Sequence, residues 1–312
     1  MTQLDLSIVI VNWNTRDLLL RCLQAVYATV SASFSNRSEV IVVDNASTDD
    51  SVVAVRADFP QVKLIVNQVN MGFAKANNQG IRASKGRYIL LLNSDAFVHE
   101  GTLEKSIAAM DACPDTGIAG CRLYYEDGSL QPSCFSFPTI QTEMFQMLWL
   151  DRLFPNSRIF GRFRMSYWDF DDVREVDSVL GAFMLLRKEA LDQVGLMDES
   201  FFMYSEEIDL CYRMKQAGWK IRYFPEVSAT HIWGGTSRQM PVQTFLNLYR
   251  SRIQFFRKHY GRLNTGLYKA VLYLGSLLRV ISGYPARLIS RNSTQGKIAR
   301  NYLRLMKSLQ GY

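Results

Sequence analysis

The chain has 312 residues, of which 48% are apolar and 21% charged, an ordinary balance for a globular protein with a sizeable core. That composition excludes a disordered chain, a collagen-like repeat and a disulfide-stapled miniprotein. The net charge of +7 is unevenly spread. Residues 1–226 carry 22 Lys and Arg against 29 Asp and Glu, whereas residues 227–312 carry 14 Lys and Arg and no acid. A segment so one-sided faces an anionic partner, a membrane surface or nucleic acid, or else packs as a basic appendage on the acidic body. The five cysteines are scattered and never form a C-x-x-C pair, which predicts a reduced, cytoplasmic chain without a zinc knuckle. The opening residues lack a basic n-region and soon reach polar Asn12, so they read as a strand and not as a signal peptide.

Leu6–Val11 is a continuous apolar run, and Thr15–Val30 follows with Leu18, Leu19, Cys22, Leu23 and Val26 at helical spacing. Val40–Val43 predicts a second strand, Asp49 to about Asp58 a helix, and Val62–Val66 a third strand. A helix from Gly72 to Ala83 and a strand at Tyr88–Leu92 close the series. Short β-rich runs alternating with helices predict an α/β fold, a mostly parallel sheet covered on both faces. The stretch 122–175 is aromatic and weakly periodic, with Pro132, Pro138 and Pro155, and reads as loops and short helices bordering a cleft. Val176–Leu186 predicts one strand containing Gly181, Glu206–Ala217 an amphipathic helix, and Trp219–Phe224 a last strand ended by Pro225. Beyond His231 the chain turns helical and basic. Leu267–Ile281 is strongly apolar, but Lys269 and Arg279 interrupt it. A spanning helix needs about 20 mostly apolar residues, so this segment reads as an amphipathic helix lying in a membrane interface. The expected organisation is one domain over 1–237, with halves of about 1–98 and 99–237, followed by a basic helical extension over 238–312.

The chemistry of a parallel sheet sits at the carboxyl ends of its strands. Those ends read Asn12-Trp13-Asn14, Asp44-Asn45-Ala46-Ser47, Asn67-Gln68-Val69-Asn70 and Asn93-Ser94-Asp95. Any one such cluster is explained by capping of the next helix, as expected of Thr48 and Asp49. Four at one sheet edge point to a site. No G-x-G-x-x-G follows the first strand and no G-x-x-x-x-G-K-[ST] occurs, against a dinucleotide-binding oxidoreductase and a P-loop NTPase.

Six blocks in order carry a resemblance. They are Ser-Ile-Val-Ile-Val-Asn-Trp-Asn (7–14), Val-Val-Asp-Asn-Ala-Ser-Thr-Asp (42–49), Asn-Met-Gly-Phe-Ala-Lys-Ala-Asn-Asn-Gln-Gly (70–80) and Leu-Leu-Asn-Ser-Asp-Ala (91–96). Gly-Ala-Phe-Met-Leu-Leu-Arg (181–187) and Phe-Met-Tyr-Ser-Glu-Glu-Ile-Asp-Leu-Cys-Tyr-Arg (202–213) complete the set. Together they resemble the family 2 glycosyltransferases, and within them the bacterial rhamnosyltransferases that use dTDP-L-rhamnose. The resemblance implies the GT-A fold, an α/β domain around a doubly wound sheet, and inversion at the anomeric carbon. It also implies a nucleotide-sugar donor, a glycan or lipid-linked oligosaccharide acceptor, a divalent metal (Mn²⁺ or Mg²⁺), and no nucleic acid as partner. The expected enzyme transfers L-rhamnose in cell-surface polysaccharide synthesis, held by its basic helices on the cytoplasmic membrane's inner face. The alternatives are a UDP-sugar donor (galactose, galactofuranose or GlcNAc) and a non-catalytic nucleotide-sugar-binding subunit. The absence of a Q-x-x-R-W element and of spanning helices speaks against a processive synthase.

By resemblance, Asn93-Ser94-Asp95 stands where the family has a D-x-D element, with Asp95 as metal ligand and Asn93 in place of an acid. One carboxylate fewer weakens such a site and favours an ion that arrives with the diphosphate. His231 matches a second metal-contacting position, and an imidazole suits Mn²⁺ better than Mg²⁺. Asp44 is the expected acceptor for the N3–H of the base, with Asn12, Asn45, Asn70, Gly72 and Asn77 around the nucleotide. Inversion needs a carboxylate opposite the departing diphosphate. The family places it at an acidic pair opening a helix, here Glu206-Glu207, with Glu207 at the catalytic position and Glu206 held open as the base. Gly181 and Ala182 are expected on the acceptor side, with Asp177 a further contact. Asp209 lies four residues before Arg213, the spacing of an ion pair on one helical face.

Overall fold

The computed structural model describes residues 4–29, 36–232, 234, 239–289 and 294–311. They form two compact units, one within 1–136, 169–202 and 206–239, the other within 137–168, 203–205 and 240–312. Residues 137–168 thus group with the C-terminal helices and not with the chain on either side of them.

In the first unit, β1 (Leu6–Asn12), α1 (Arg16–Thr29), β2 (Ser38–Asp44), α2 (Ser51–Asp58), β3 (Lys63–Val66), α3 (Phe73–Ala83) and β4 (Tyr88–Asn93) alternate as the periodicity predicts. Next come β5 (Ala96–Val98), α4 (Thr102–Ala112), β6 (Thr116–Tyr124), β7 (Leu130–Gln131) and β8 (Cys134–Phe135). In the second unit α5 (Ile140–Met147) and α6 (Leu150–Leu153) follow. The first unit resumes with β9 (Arg174–Glu175), β10 (Ser178–Val179), β11 (Phe183–Arg187), α7 (Lys188–Val194), α8 (Glu206–Gln216) and β12 (Lys220–His231). The main sheet runs β3-β2-β1-β4-β11-β6-β12-β5, and β8 pairs with β10 apart from it. Strands β1, β2, β3 and β4 are mutually parallel where they pair, whereas β11 is antiparallel to β4 and β6. After β3 the chain returns to the far side of β1, so the gap between the ends of β1 and β4 is a switch point where such sheets hold ligands.

Both faces of the sheet are covered, which is why its strands read as unbroken apolar runs. Leu19, Cys22, Leu23 and Val26 of α1 pack with Ile8, Ile10, Leu90 and Leu92 in one buried cluster. On the other face Ala76 of α3 packs with Ile41 and Val43. Gly80 lets α3 settle on β1: a Cβ there would lie 2.2 Å from Cγ1 of Val9.

Two strands depart from the sequence expectation. The run Val176–Leu186 is not one strand but two, because Ser178–Val179 pairs with β8 while Phe183–Arg187 crosses to β4 and β6. Both pieces are buried, so their hydrophobicity is continuous although their pairing is not. The last strand does not stop at Pro225 but runs to His231. Its register against β6 shifts between Phe224 and Ser228, and a bulge is where a strand tolerates a residue without an N–H.

In the second unit, α9 (Pro241–His259), α10 (Gly261–Ile289) and α11 (Thr294–Ser308) pack with α5. Phe256 stacks on Tyr268 at 4.3 Å between ring centroids, and the Tyr268 hydroxyl donates to Glu143 Oε2 at 3.1 Å. Arg279 lies 4.0 Å over the Trp149 ring and donates to the Gln146 carbonyl. The aromatic stretch therefore supplies the partner surface of the basic helices. Among the described residues, no helix is long and apolar enough to cross a membrane.

A Gly80→Ala change should cost about 1–3 kcal/mol of stability by overpacking, measured by urea unfolding. Trimming the neighbour in a Val9→Ala, Gly80→Ala double variant should make the two costs non-additive, since the residues touch.

Candidate functional site

At the carboxyl edge of β1 and β2, Asn12 and Asp44 are paired in register and almost fully buried. Asn12 Nδ2 donates to Asp44 Oδ1 and to Ser47 Oγ, each at 3.0 Å. The other Asp44 oxygen accepts from the Ser47 backbone N–H at 2.9 Å. Asp44 thus ties β1 through one oxygen and closes the β2 turn through the other, an arrangement its sequence position does not reveal. Thr15 donates to Asn12 Oδ1 and shares a 2.8 Å hydrogen bond with Ser94, tying the ends of β1 and β4 together. Asp49 accepts from the N–H groups of Arg16 and Ser51, serving the starts of both α1 and α2.

Asn45 organises the neighbouring loop. Its Nδ2 donates to Asn70 Oδ1 and the Gly72 carbonyl, and its Oδ1 accepts from the Met71 N–H and Asn67 Nδ2. Gly72 adopts φ +86°, and a Cβ there would meet the Phe202 carbonyl oxygen at 2.6 Å. Only glycine satisfies both the left-handed backbone and that approach. The Phe73 N–H then donates to the same Phe202 oxygen at 2.7 Å, fixing the entry to α3 against the 196–202 segment. Asn77 is buried and donates to the Phe73 carbonyl one turn earlier. Asn78, not singled out in the sequence, grips the Met197 backbone through both ends of its amide.

The third group is Asn93, Asp95 and His231. Antiparallel pairing of β5 with β12 sets His231 opposite Ala96, and the Ile232 N–H donates to the Asp95 carbonyl. Consequently His231 Nε2 lies 3.3 Å from Asp95 Oδ1 and 3.4 Å from Asn93 Nδ2, and both His231 and Asp95 are buried. Gln131 of β7, which sequence reasoning missed, holds the other side of the ring. Its Nε2 donates to the His231 carbonyl at 3.4 Å, so its Oε1 is the atom facing Nδ1 at 2.8 Å. A carbonyl only accepts, which fixes the amide orientation and makes Nδ1–H the donor to Gln131. Nε2 is then the nitrogen turned toward Asp95 and Asn93. A lone pair and a carboxylate at that distance repel unless a cation or proton lies between them. The pair fits a divalent ion, with one nitrogen and one oxygen donor close enough to share it. Among the described residues no group of three or more His, Cys, Asp and Glu is placed to hold a metal by itself.

The fourth group forms at the start of α8. A Cβ on Gly181 would lie 3.7 Å from the Phe73 ring and 3.9 Å from Glu207 Cβ. Its neighbour Ala182 accepts a hydrogen bond from the Asn93 N–H at 3.0 Å. Residues 181–182 therefore connect Glu207 to the Asn93–Asp95–His231 group. The acidic pair is not symmetric: Glu206 is buried and Glu207 half-buried. Burial, then the charges of Glu207 and Asp209, push the Glu206 carboxyl well above the usual carboxylate range, toward its neutral form. Asp209 makes the expected pair with Arg213 at 2.8 Å, and Arg213 also binds the Val194 and Leu196 carbonyls. Asp177 pairs at 3.0 Å with Lys215 in the last turn of α8.

Selective ¹⁵N labelling of the three histidines should find Nδ1 of His231 carrying a proton in the metal-free chain; an Nδ1 without its proton would contradict the Gln131 geometry. Replacing Glu206 by Gln should alter the pH dependence of stability. A carboxyl whose folded pKa is raised stabilises the fold below its unfolded value of 4.5 and loses that contribution as pH climbs. Urea unfolding should therefore show the variant gaining on the parent chain steadily from about pH 4.5 upward.

Comparison with known proteins agrees with the geometry. The model of the family described as "Glycosyl transferase family 2" matches residues 7–195. The chain is 27% identical over 252 residues to an N-acetylglucosaminyl-diphospho-decaprenol L-rhamnosyltransferase of Mycobacterium tuberculosis, covering 77% of this chain and 81% of that one. It is 25% identical over 231 residues to the low-salt glycan biosynthesis hexosyltransferase Agl10 of Haloferax volcanii, covering 73% and 67%. Among solved structures, the mannosyltransferase PcManGT of Pyrobaculum calidifontis, in complex with GDP-Man and Mn²⁺, superposes with a TM-score of 0.54 at 17% identity. That superposition covers 99% of this chain and 88% of the other and speaks for the fold. The chain belongs to the family 2 glycosyltransferases and is a glycosyltransferase of the GT-A fold.

Proposed function

We propose that the chain is an inverting rhamnosyltransferase that moves L-rhamnose from dTDP-β-L-rhamnose to a lipid-linked glycan. The observation that carries the site assignment is the link through residues 181–182, which joins the Asp95–His231 pair to Glu207. The rhamnose donor and lipid-linked acceptor are supported by the printed activity of the mycobacterial relative.

In this reading the nucleotide lies along the ends of β1, β2 and β3, where Asn12, Asp44, Asn45, Asn70, Gly72 and Asn77 shape the turns. Asp95 and His231 would hold a divalent ion, Mn²⁺ or Mg²⁺, with Asn93 beside them. When bound, that ion neutralises charge on the departing diphosphate. Glu207 accepts the proton of the acceptor hydroxyl as its oxygen bonds to the anomeric carbon and the carbon–oxygen bond to the diphosphate breaks. Attack from the face opposite the leaving group inverts the centre. Glu206, which burial pushes toward its neutral form, is assigned no proton transfer in this step. Gly181 and Ala182 leave room for the acceptor, and Asp177 orients α8 through Lys215. The enzyme works at the cytoplasmic face of a membrane, in keeping with its five free cysteines and with the 13 basic and no acidic residues of 240–312.

Release of nucleoside diphosphate should be followed across dTDP-rhamnose, UDP-galactose, UDP-galactofuranose and UDP-GlcNAc, with Mn²⁺, Mg²⁺ or EDTA and a lipid-linked acceptor extract. Metal-dependent release from dTDP-rhamnose is expected. Glu207→Gln should lower kcat by about 10²–10⁴, the usual worth of a general base, with donor affinity little changed, while Glu206→Gln retains most activity. Turnover surviving in Glu207→Gln would remove it as the base, and release from a UDP-sugar alone would replace the donor.

A further inference from the structure

Helix α10 is apolar on two sides. Tyr268, Leu272, Gly275 and Ser276 are buried within the second unit. On the other side Leu263, Leu267, Leu274, Leu277, Leu278 and Ile281 are exposed, with Leu263 at 78% and Leu274 and Ile281 at 60%. These residues recur at helical spacing, so they form one stripe about 27 Å long at 1.5 Å per residue. No charged residue is exposed on the helix between Arg262 and Ile281: Lys269 and Arg279 are half-buried, and Arg279 is bonded to the Gln146 carbonyl. A helix apolar all round is normally covered, and contiguous patches of this kind mark an interaction surface.

The charge around the stripe selects what covers it. Within 240–312 stand 13 Lys and Arg and no Asp or Glu. Arg257, Lys258, Arg262, Lys297, Arg304 and Lys307 are exposed. A second copy would bring the same charge against itself with no acid in this segment to pair it. An anionic lipid interface supplies both the apolar layer and the compensating charge. We propose that α10 lies flat in an anionic bilayer surface with Leu263, Leu267, Leu274, Leu278 and Ile281 inserted, so that apolar burial and not charge alone holds the enzyme there. The proposal rests on the membrane reading above and deepens it: it assigns the attachment to a stripe of leucines instead of to the basic residues in general.

The full chain is to be sedimented with vesicles of phosphatidylglycerol and phosphatidylcholine in equal parts, and with phosphatidylcholine alone. Binding to the anionic vesicles should largely survive about 1 M salt, where the Debye length is about 3 Å. The Leu267→Gln, Leu274→Gln, Leu278→Gln variant, altered only at exposed positions, should lose at least about a hundredfold in partition. Binding by this variant equal to the parent chain, or complete release of the parent chain by salt, would overturn the inference and leave the membrane reading standing. No binding to either vesicle would overturn both. A dimer of the free chain that the triple variant abolishes would assign the stripe to a second copy. Should the triple variant not fold, Leu274→Trp provides the test, since brominated acyl chains should quench its fluorescence; an unquenched tryptophan would overturn the insertion.

Discussion

The pairing of β5 with β12 is the constraint on which the site depends. By setting His231 across from Ala96 it brings an imidazole from the end of the last strand to Asp95, which directly precedes β5. Neither residue alone makes a cation site. Their juxtaposition needs β12 to continue past Pro225, and that continuation needs the bulge that absorbs the register shift before Ser228. Gln131 then turns the ring so that Nε2 faces Asp95 and Asn93, as outer partners of a ligating histidine do.

Around this pair the polar strand ends divide their labour. Asn12, Asp44 and Asn45 spend most of their hydrogen bonds on one another, on Ser47 and on the loop before α3. They are buried polar groups with partners, which gives an edge of fixed shape at modest cost. The base we propose is instead Glu207, next to Gly181. The contrast between neighbouring glutamates has a physical cause, since burial pushes the Glu206 carboxyl toward its neutral form while Glu207 stays half-buried.

The sheet was legible because strands buried on both faces are continuous apolar runs, and the helices between them carry a 3.6-residue period. The strand ends were legible for the same reason, as polar residues that stop each run. Other features left no such trace. Gln131 sits in a two-residue strand with no period to read, and its importance comes only from a ring one hundred residues away. The break between Val179 and Phe183 hides inside uniform hydrophobicity. The aromatic stretch 137–168 reads as cleft lining from composition, whereas its rings and carbonyls meet Arg279 and Tyr268 of the basic helices. Nothing local to either segment encodes that pairing.

The most direct test is a crystal structure of the chain with dTDP and Mn²⁺. One ion is expected on Asp95 Oδ1 and His231 Nε2, completed by the diphosphate, with the nucleoside along the ends of β1, β2 and β3 and Glu207 facing the open side of the diphosphate. An ion held without His231, or a diphosphate lying on Glu207 itself, would contradict this placement.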